Sequence, residues 1–114
     1  MSRISTHVLD MSRGKPATGL AVQLERREGL AEWKPIASGE TDADGRCAAL
    51  VQQNEPLAPG VYRLTFDTGT YFQRQAAQGL YPVVQVIFEV RAGESHFHVP
   101  LLLSPNGYTT YRGS

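Results

Sequence analysis

Two stretches of the chain alternate polar with apolar residues, Leu20-Ala21-Val22-Gln23-Leu24-Glu25 and Val61-Tyr62-Arg63-Leu64-Thr65-Phe66. A period of two places successive side chains on opposite faces of a strand, so both stretches predict half-buried strands. Ile4 to Leu9 has strand-type residues in a weaker alternation. Val83 to Val90 and Phe97 to Leu103 are richer in apolar residues and predict strands buried on both faces. Glycine and proline recur at Gly14 to Gly19, Gly39, Gly45, Pro56 to Gly60, Gly79, Gly93 and Pro105 to Gly107, cutting the chain into strand-length pieces. Asp42-Ala43-Asp44-Gly45 is a turn, because aspartate supplies a local hydrogen bond and glycine a positive φ. About eight such strands predict an all-β sandwich of two sheets. One segment departs from this pattern: Thr70 to Gln78 holds good helix formers and stops at Gly79, which predicts one short helix.

A length of 114 residues leaves room for a single domain over 1–114, with one modest core and no separate cofactor domain. Eleven basic against eleven acidic residues leave no electrostatic footprint for nucleic acid or an anionic membrane, so neither is expected as a partner. The lone Cys47 cannot close an intrachain disulfide and lacks redox or zinc spacing, which fits a reducing compartment. Met1 to His7 contains no apolar run of signal-peptide type, and no segment approaches membrane-spanning length. The expectation is a soluble, cytoplasmic protein.

Candidate chemistry rests on polar residues placed in strands. His7 shares a strand face with Ser5 and Leu9, a position equally open to a solvated or satisfied core histidine. His96 and His98 project from one face of a regular strand. That spacing suits proton transfer or a metal such as zinc, and it also suits two solvated edge residues. A metal needs further ligands, and no cysteine or carboxylate cluster supplies them, so no metal or cofactor is expected. Arg46 opens a strand whose alternate positions, Ala48 and Leu50, look core-like; facing a cavity, its planar fork of donors pairs with a carboxylate or urea-like group. Tyr108 to Ser114 follows the turn Pro105-Asn106-Gly107 and predicts a final strand with Thr109, Tyr111 and Gly113 on one face. Cys47 points away from Arg46 and reads as core. Ser38 and Ser104 have no nucleophile-elbow context, and no glycine-rich phosphate loop is present.

Three segments together resemble the signature of the transthyretin-like hydrolases. They are Ser5-Thr6-His7-Val8-Leu9-Asp10, His96-Phe97-His98-Val99-Pro100-Leu101-Leu102-Leu103-Ser104-Pro105, and the terminal Tyr111-Arg112-Gly113-Ser114. The tetrapeptide is the specific part, since it marks the hydrolases off from transthyretin proper. The resemblance spans nearly the whole chain. It implies a transthyretin-like sandwich of two four-stranded sheets with one short helix, assembled as a homotetramer, a dimer of dimers around a channel. It also implies hydrolysis of 5-hydroxyisourate, an unstable product of urate oxidation, to 2-oxo-4-hydroxy-4-carboxy-5-ureidoimidazoline, without a cofactor. In that reading His7 and His98 handle the proton, Arg46 binds substrate oxygens and stabilises developing charge, and Tyr111 caps the pocket. Arg112, Gly113 and Ser114 complete it, with Ser114 orienting a histidine or the water. Three alternatives stay open: a non-catalytic carrier of a small aromatic ligand, a metal-binding sandwich using His7, His96 and His98, and a purely structural sandwich.

Overall fold

The alternating segments form strands as expected in the computed structural model, which describes residues 1–114. In chain order the elements are β1 (Ser2–Asp10), β2 (Lys15–Pro16), β3 (Ala21–Glu28), β4 (Glu32–Glu40), β5 (Arg46–Gln53), β6 (Gly60–Phe66), α1 (Thr68–Arg74), β7 (Val84–Val90), β8 (His96–Ser104) and β9 (Gly107–Thr110). One sheet has the order β4-β3-β6-β7. The other runs β1-β8-β9, with β5 on the free edge of β1. The two-residue β2 pairs with Leu9 and Asp10, where β5 has already left that edge. β1 and β8 are parallel, and their neighbours in this sheet are antiparallel.

The sheets close over a core drawn from alternate positions of each strand. Ile4 and Val8 of β1 meet Phe97, Val99, Leu101 and Leu103 of β8, and these pack against Val22, Leu24, Tyr62, Leu64, Phe66, Val84 and Val90 of the other sheet. Each large apolar side chain buried contributes about 1.5–3 kcal/mol. A one-residue slip of β1 would expose Ile4 and Val8 and bury Ser5 and His7 instead. The burial that holds the fold therefore also turns Ser5 and His7 to the outer face.

Several elements differ from the sequence expectation, each for a local reason. β7 is an edge strand, not one buried on both faces: Val84 and Val90 are buried, while Gln85, Ile87 and Glu89 are exposed. β4 was not legible as a strand. It is the opposite edge, carries Lys34 and Pro35, and bulges against β3 between Leu24 and Glu25, which are features edges tolerate. The helix begins at Thr68, where Asp67 accepts a hydrogen bond from the Thr70 N–H, and ends four residues before Gln78. Its stop is Ala76, which takes the left-handed conformation (φ 53°). The Ala77 N–H then reaches the Phe72 carbonyl at 2.9 Å and the Ala76 N–H the Gln73 carbonyl at 3.1 Å, a Schellman closure. Gly79 serves packing, since a Cβ there would lie 2.8 Å from the Phe72 ring.

β5 also breaks its own alternation. Thr6 pairs with Cys47 and Ile4 with Val51, so the strand bulges between them. Leu50 is buried as expected, but Ala48 is exposed on the outer face beside Arg46. Cys47 is half-buried against the core, where burial raises its thiol pKa, with a further push from the charge of Asp42.

Candidate active site

β1 is the spine of the site. Its partner β5 places Arg46 directly opposite His7, and its parallel partner β8 places His98 opposite Ser5. Cross-strand partners project from one face, so residues distant in sequence converge on the outer side of this sheet.

The turn before β5 holds the Arg46 and His7 side of the site. Asp42 Oδ1 accepts from the N–H groups of Asp44 (2.9 Å) and Arg46 (3.0 Å), and the Gly45 N–H donates to the Asp42 carbonyl at 2.9 Å. These bonds, first of all the one from Arg46, lower the Asp42 pKa against the opposing effect of desolvation. Gly45 has φ 78°, and a Cβ there would collide with the Val8 carbonyl, so only glycine lets the turn sit on β1. The turn then presents the Asp44 carbonyl 2.9 Å from His7 Nε2. A carbonyl only accepts, so Nε2 carries the proton and the neutral ring keeps its lone pair on Nδ1. Arg46 forms no ion pair with any carboxylate of the chain, leaving its guanidinium available to a ligand.

His98 is held on the opposite side. Its Nδ1 lies 2.8 Å from Ser5 Oγ, and its carbonyl accepts the Gly113 N–H at 2.7 Å. Burial lowers the His98 pKa, and the positive charges of His7, when that ring is protonated, and of Arg46 lower it further, which favours the neutral His98 ring.

The C-terminal segment reaches the site by an interrupted strand. β9 ends at Thr110, yet the register that pairs Leu101 with Thr110 also sets Gly113 opposite His98, where an isolated bridge forms. Pro100 lies between them, opposite Tyr111, and has no N–H to give the ladder. The Thr110 hydroxyl takes the Pro100 carbonyl at 2.8 Å. Arg112 is fastened to Glu94 at 3.1 Å and to the His96 carbonyl at 3.1 Å, with its guanidinium 4.3 Å over the Phe97 ring. Those bonds bring Gly113 and Ser114 over β8.

The result is a cavity of about 420 Å³ lined by Arg46, His98, Gly113 and Ser114 together with Arg3, Ser5 and His96. Ala48 and Phe97 are its apolar members. His7 flanks Arg46 across the β1–β5 pair without lining this hollow itself. Tyr111, 54% exposed, and Arg112 border a separate, more apolar groove beside Val86, Phe88 and Val99. Arg3 and Ser5 join the site residues expected from sequence. The available signal was the period of two, which places both on the His7 face. No three His, Cys, Asp or Glu side chains are grouped as metal ligands. No helix is long and apolar enough to cross a membrane. A cavity with a free guanidinium, the imidazoles of His96 and His98 inside and that of His7 at its flank can bind a planar, carbonyl-rich molecule and move a proton at it.

Comparison with known proteins narrows that chemistry. Residues 4–113 match the sequence model of a family described as the HIUase/Transthyretin family. The chain is 44% identical to a 5-hydroxyisourate hydrolase of Mus musculus, over 99% of this chain and 96% of the mouse protein. It is 43% identical to a 5-hydroxyisourate hydrolase of Pseudomonas aeruginosa, over 100% of this chain and 93% of that one. Among solved structures, the 5-hydroxyisourate hydrolase of Klebsiella pneumoniae superposes with a TM-score of 0.85 at 41% identity, covering 100% of both chains. Transthyretin from Sparus aurata superposes with a TM-score of 0.89 at 33% identity, covering 99% of this chain and 97% of its own.

Proposed function

The chain belongs to the HIUase/Transthyretin family, and on that premise we propose that its 1–114 domain hydrolyses 5-hydroxyisourate to 2-oxo-4-hydroxy-4-carboxy-5-ureidoimidazoline in urate degradation. One observation carries the reading: β1 sets Arg46 beside His7 and His98 beside Ser5 on one outer face.

The reaction adds water to a ring carbonyl and breaks the adjacent C–N bond, so it needs a proton acceptor, a proton donor and donors for the oxygen that gains charge. His7 and His98 handle the proton, since an imidazole can both accept and return one. Arg46, free of intrachain ion pairs, binds the substrate oxygens and stabilises the developing charge. Gly113 and Ser114 form the wall over His98, and Arg112 supports them through Glu94 and the His96 carbonyl. Nothing in this scheme calls on a metal or cofactor.

Tyr111 caps the pocket in the assembled enzyme. Its ring borders a different hollow within its own chain, so the cap is completed in a homotetramer in which a symmetry axis brings neighbouring surfaces together. Light scattering tests this: a mass near four times 12.5 kDa is expected, and a fully active monomer would overturn it. A cytoplasmic site of action accords with the unpaired Cys47.

A non-catalytic carrier of a small aromatic ligand fits this cavity less well, because Ala48 and Phe97 are the apolar members of a lining that includes Arg3, Arg46, His96 and His98. The decisive experiment follows the ultraviolet decay of freshly generated 5-hydroxyisourate with the parent protein, His7→Asn, His98→Asn, Arg46→Ala and a Ser114 deletion. Faster decay with the parent, lost in folded variants, is expected. A well-folded parent that leaves the decay unchanged would sink the hydrolase reading.

A further inference from the structure

Ser5 is a buried polar side chain of the site to which the scheme above gives no task. It is 8% exposed, and its Oγ lies 2.8 Å from His98 Nδ1, the one hydrogen-bond partner of that hydroxyl within the chain. A buried O–H is costly to leave without an acceptor. With Nδ1 as that acceptor, the neutral His98 ring carries its proton on Nε2. The other edge of the ring is blocked by the C-terminal segment: a Cβ on Gly113 would lie 2.6 Å from Cδ2 and 3.3 Å from Cγ. With Nδ1 and Cδ2 both held, the Nε2–Cε1 edge is the one left to the cavity that His98 lines.

His7 is arranged in the complementary way. Its Nε2–H is committed to the Asp44 carbonyl, which leaves Nδ1 as a bare acceptor. The two imidazoles thus differ in what they have to offer.

We propose that Ser5 is a positioning residue for the hydrolysis: its hydroxyl fixes the ring and tautomer of His98, so that Nε2–H serves as a donor while His7 Nδ1 serves as the acceptor. The assignment of steps rests on the hydrolase reading. The attacking water gives a proton to His7 Nδ1 as its oxygen bonds to the ring carbonyl carbon. His98 Nε2–H and Arg46 then donate to the carbonyl oxygen that gains charge. As the C–N bond breaks, His7 returns the proton to the leaving ring nitrogen, and both histidines end as they began. A hydroxyl suits this task better than a carboxylate would, because it orients the ring without adding a charge that would protonate it.

The test combines histidine ¹⁵N NMR with steady-state kinetics on the full-length protein. In the parent, His98 should show a pyridine-type Nδ1 and a pyrrole-type Nε2. Ser5→Ala should give a mixture of tautomers and lower kcat about tenfold with KM little changed. Ser5→Thr, which keeps the hydroxyl, should restore both. A protonated Nδ1 in the neutral parent, or a Ser5→Ala variant with unaltered tautomer and kcat, overturns the proposal. If the parent does not speed the decay of 5-hydroxyisourate, the hydrolase reading falls separately, and the NMR spectra alone decide the role of Ser5.

Discussion

Arg63 and Arg46 lie on the outer faces of the two sheets and are treated in opposite ways. Arg63, on β6, stands opposite Glu25 of β3 and donates to Glu25 Oε1 through Nε (2.9 Å) and Nη2 (2.7 Å), with its guanidinium 4.2 Å over the Trp33 ring. Its donors are used inside the chain. Arg46 stands opposite a histidine, has no carboxylate partner, and lines a cavity. In the first sheet this guanidinium is satisfied by a neighbouring strand. The second leaves donors free, which is what binding a charge-accumulating reactant requires.

Substitutions can break that contrast. The largest effect is expected for Arg46→Ala: kcat/KM for 5-hydroxyisourate should fall by about 10²–10³-fold, as for loss of a donor to a developing oxyanion, with an almost unchanged denaturation midpoint. Gly113→Ala comes next. A methyl group there meets the His98 ring, and a displacement of about 1 Å lowers kcat by up to about a hundredfold without unfolding the sandwich. Arg63→Ala should do the reverse, costing about 1.5–3 kcal/mol in urea denaturation while kcat stays within error.

Tyr71→Phe removes the O–H that donates to Asp10 Oδ2 at 2.7 Å and should cost about 1–2 kcal/mol. Burial raises the Asp10 pKa, but hydrogen bonds from Ser12, Tyr71 and Arg13 outweigh it, so the folded value lies below 3.8. The stability that Asp10 supplies is therefore present above its unfolded pKa and lost as pH falls through the folded one. Acid titrations of stability should be shallower in Tyr71→Phe. The smallest effect is expected for Lys34→Ala, whose exposed 3.9 Å contact with Glu28 is worth about 0.5 kcal/mol or less. A second readout sharpens the role of Arg46: because its charge helps to depress His98, Arg46→Ala should move the His98 titration midpoint up towards 6.5 in NMR.

Regular alternation made the sandwich legible. β3 and β6 follow the period of two, and the apolar run of β8 marks it as the shared centre of its sheet. β4 is not legible in the sequence because an edge strand is exposed and can carry charge and proline, so it lacks the core pattern that betrays a strand. The helix ends before its composition predicts because Ala76 adopts a conformation usually left to glycine, a choice made by the closing hydrogen bonds and not by local preference. The convergence of His7, Arg46 and His98 followed from family resemblance, whereas Ser5 did not. Its importance lies in a pairing between β1 and β8, 93 residues apart in sequence, which local periodicity cannot supply. The resemblance of the terminal tetrapeptide implies a substrate-binding role for Arg112, whose side chain is tied to Glu94 and stacked on Phe97.

Pro100 gives the molecule a point at which its last segment can come loose by itself. The ladder of β8 with β9 holds from Ser104 to Leu101, is interrupted opposite Tyr111, and resumes only at the single bridge from His98 to Gly113. Opening that bridge breaks a single ladder hydrogen bond and leaves β9 paired, so it belongs to the low-energy fluctuations of the native state, whereas separating Thr109 from Leu102 requires the strand to detach. The Gly113 amide should therefore exchange with deuterated solvent well before that of Thr109, and the wall over His98 can breathe on a timescale independent of global unfolding.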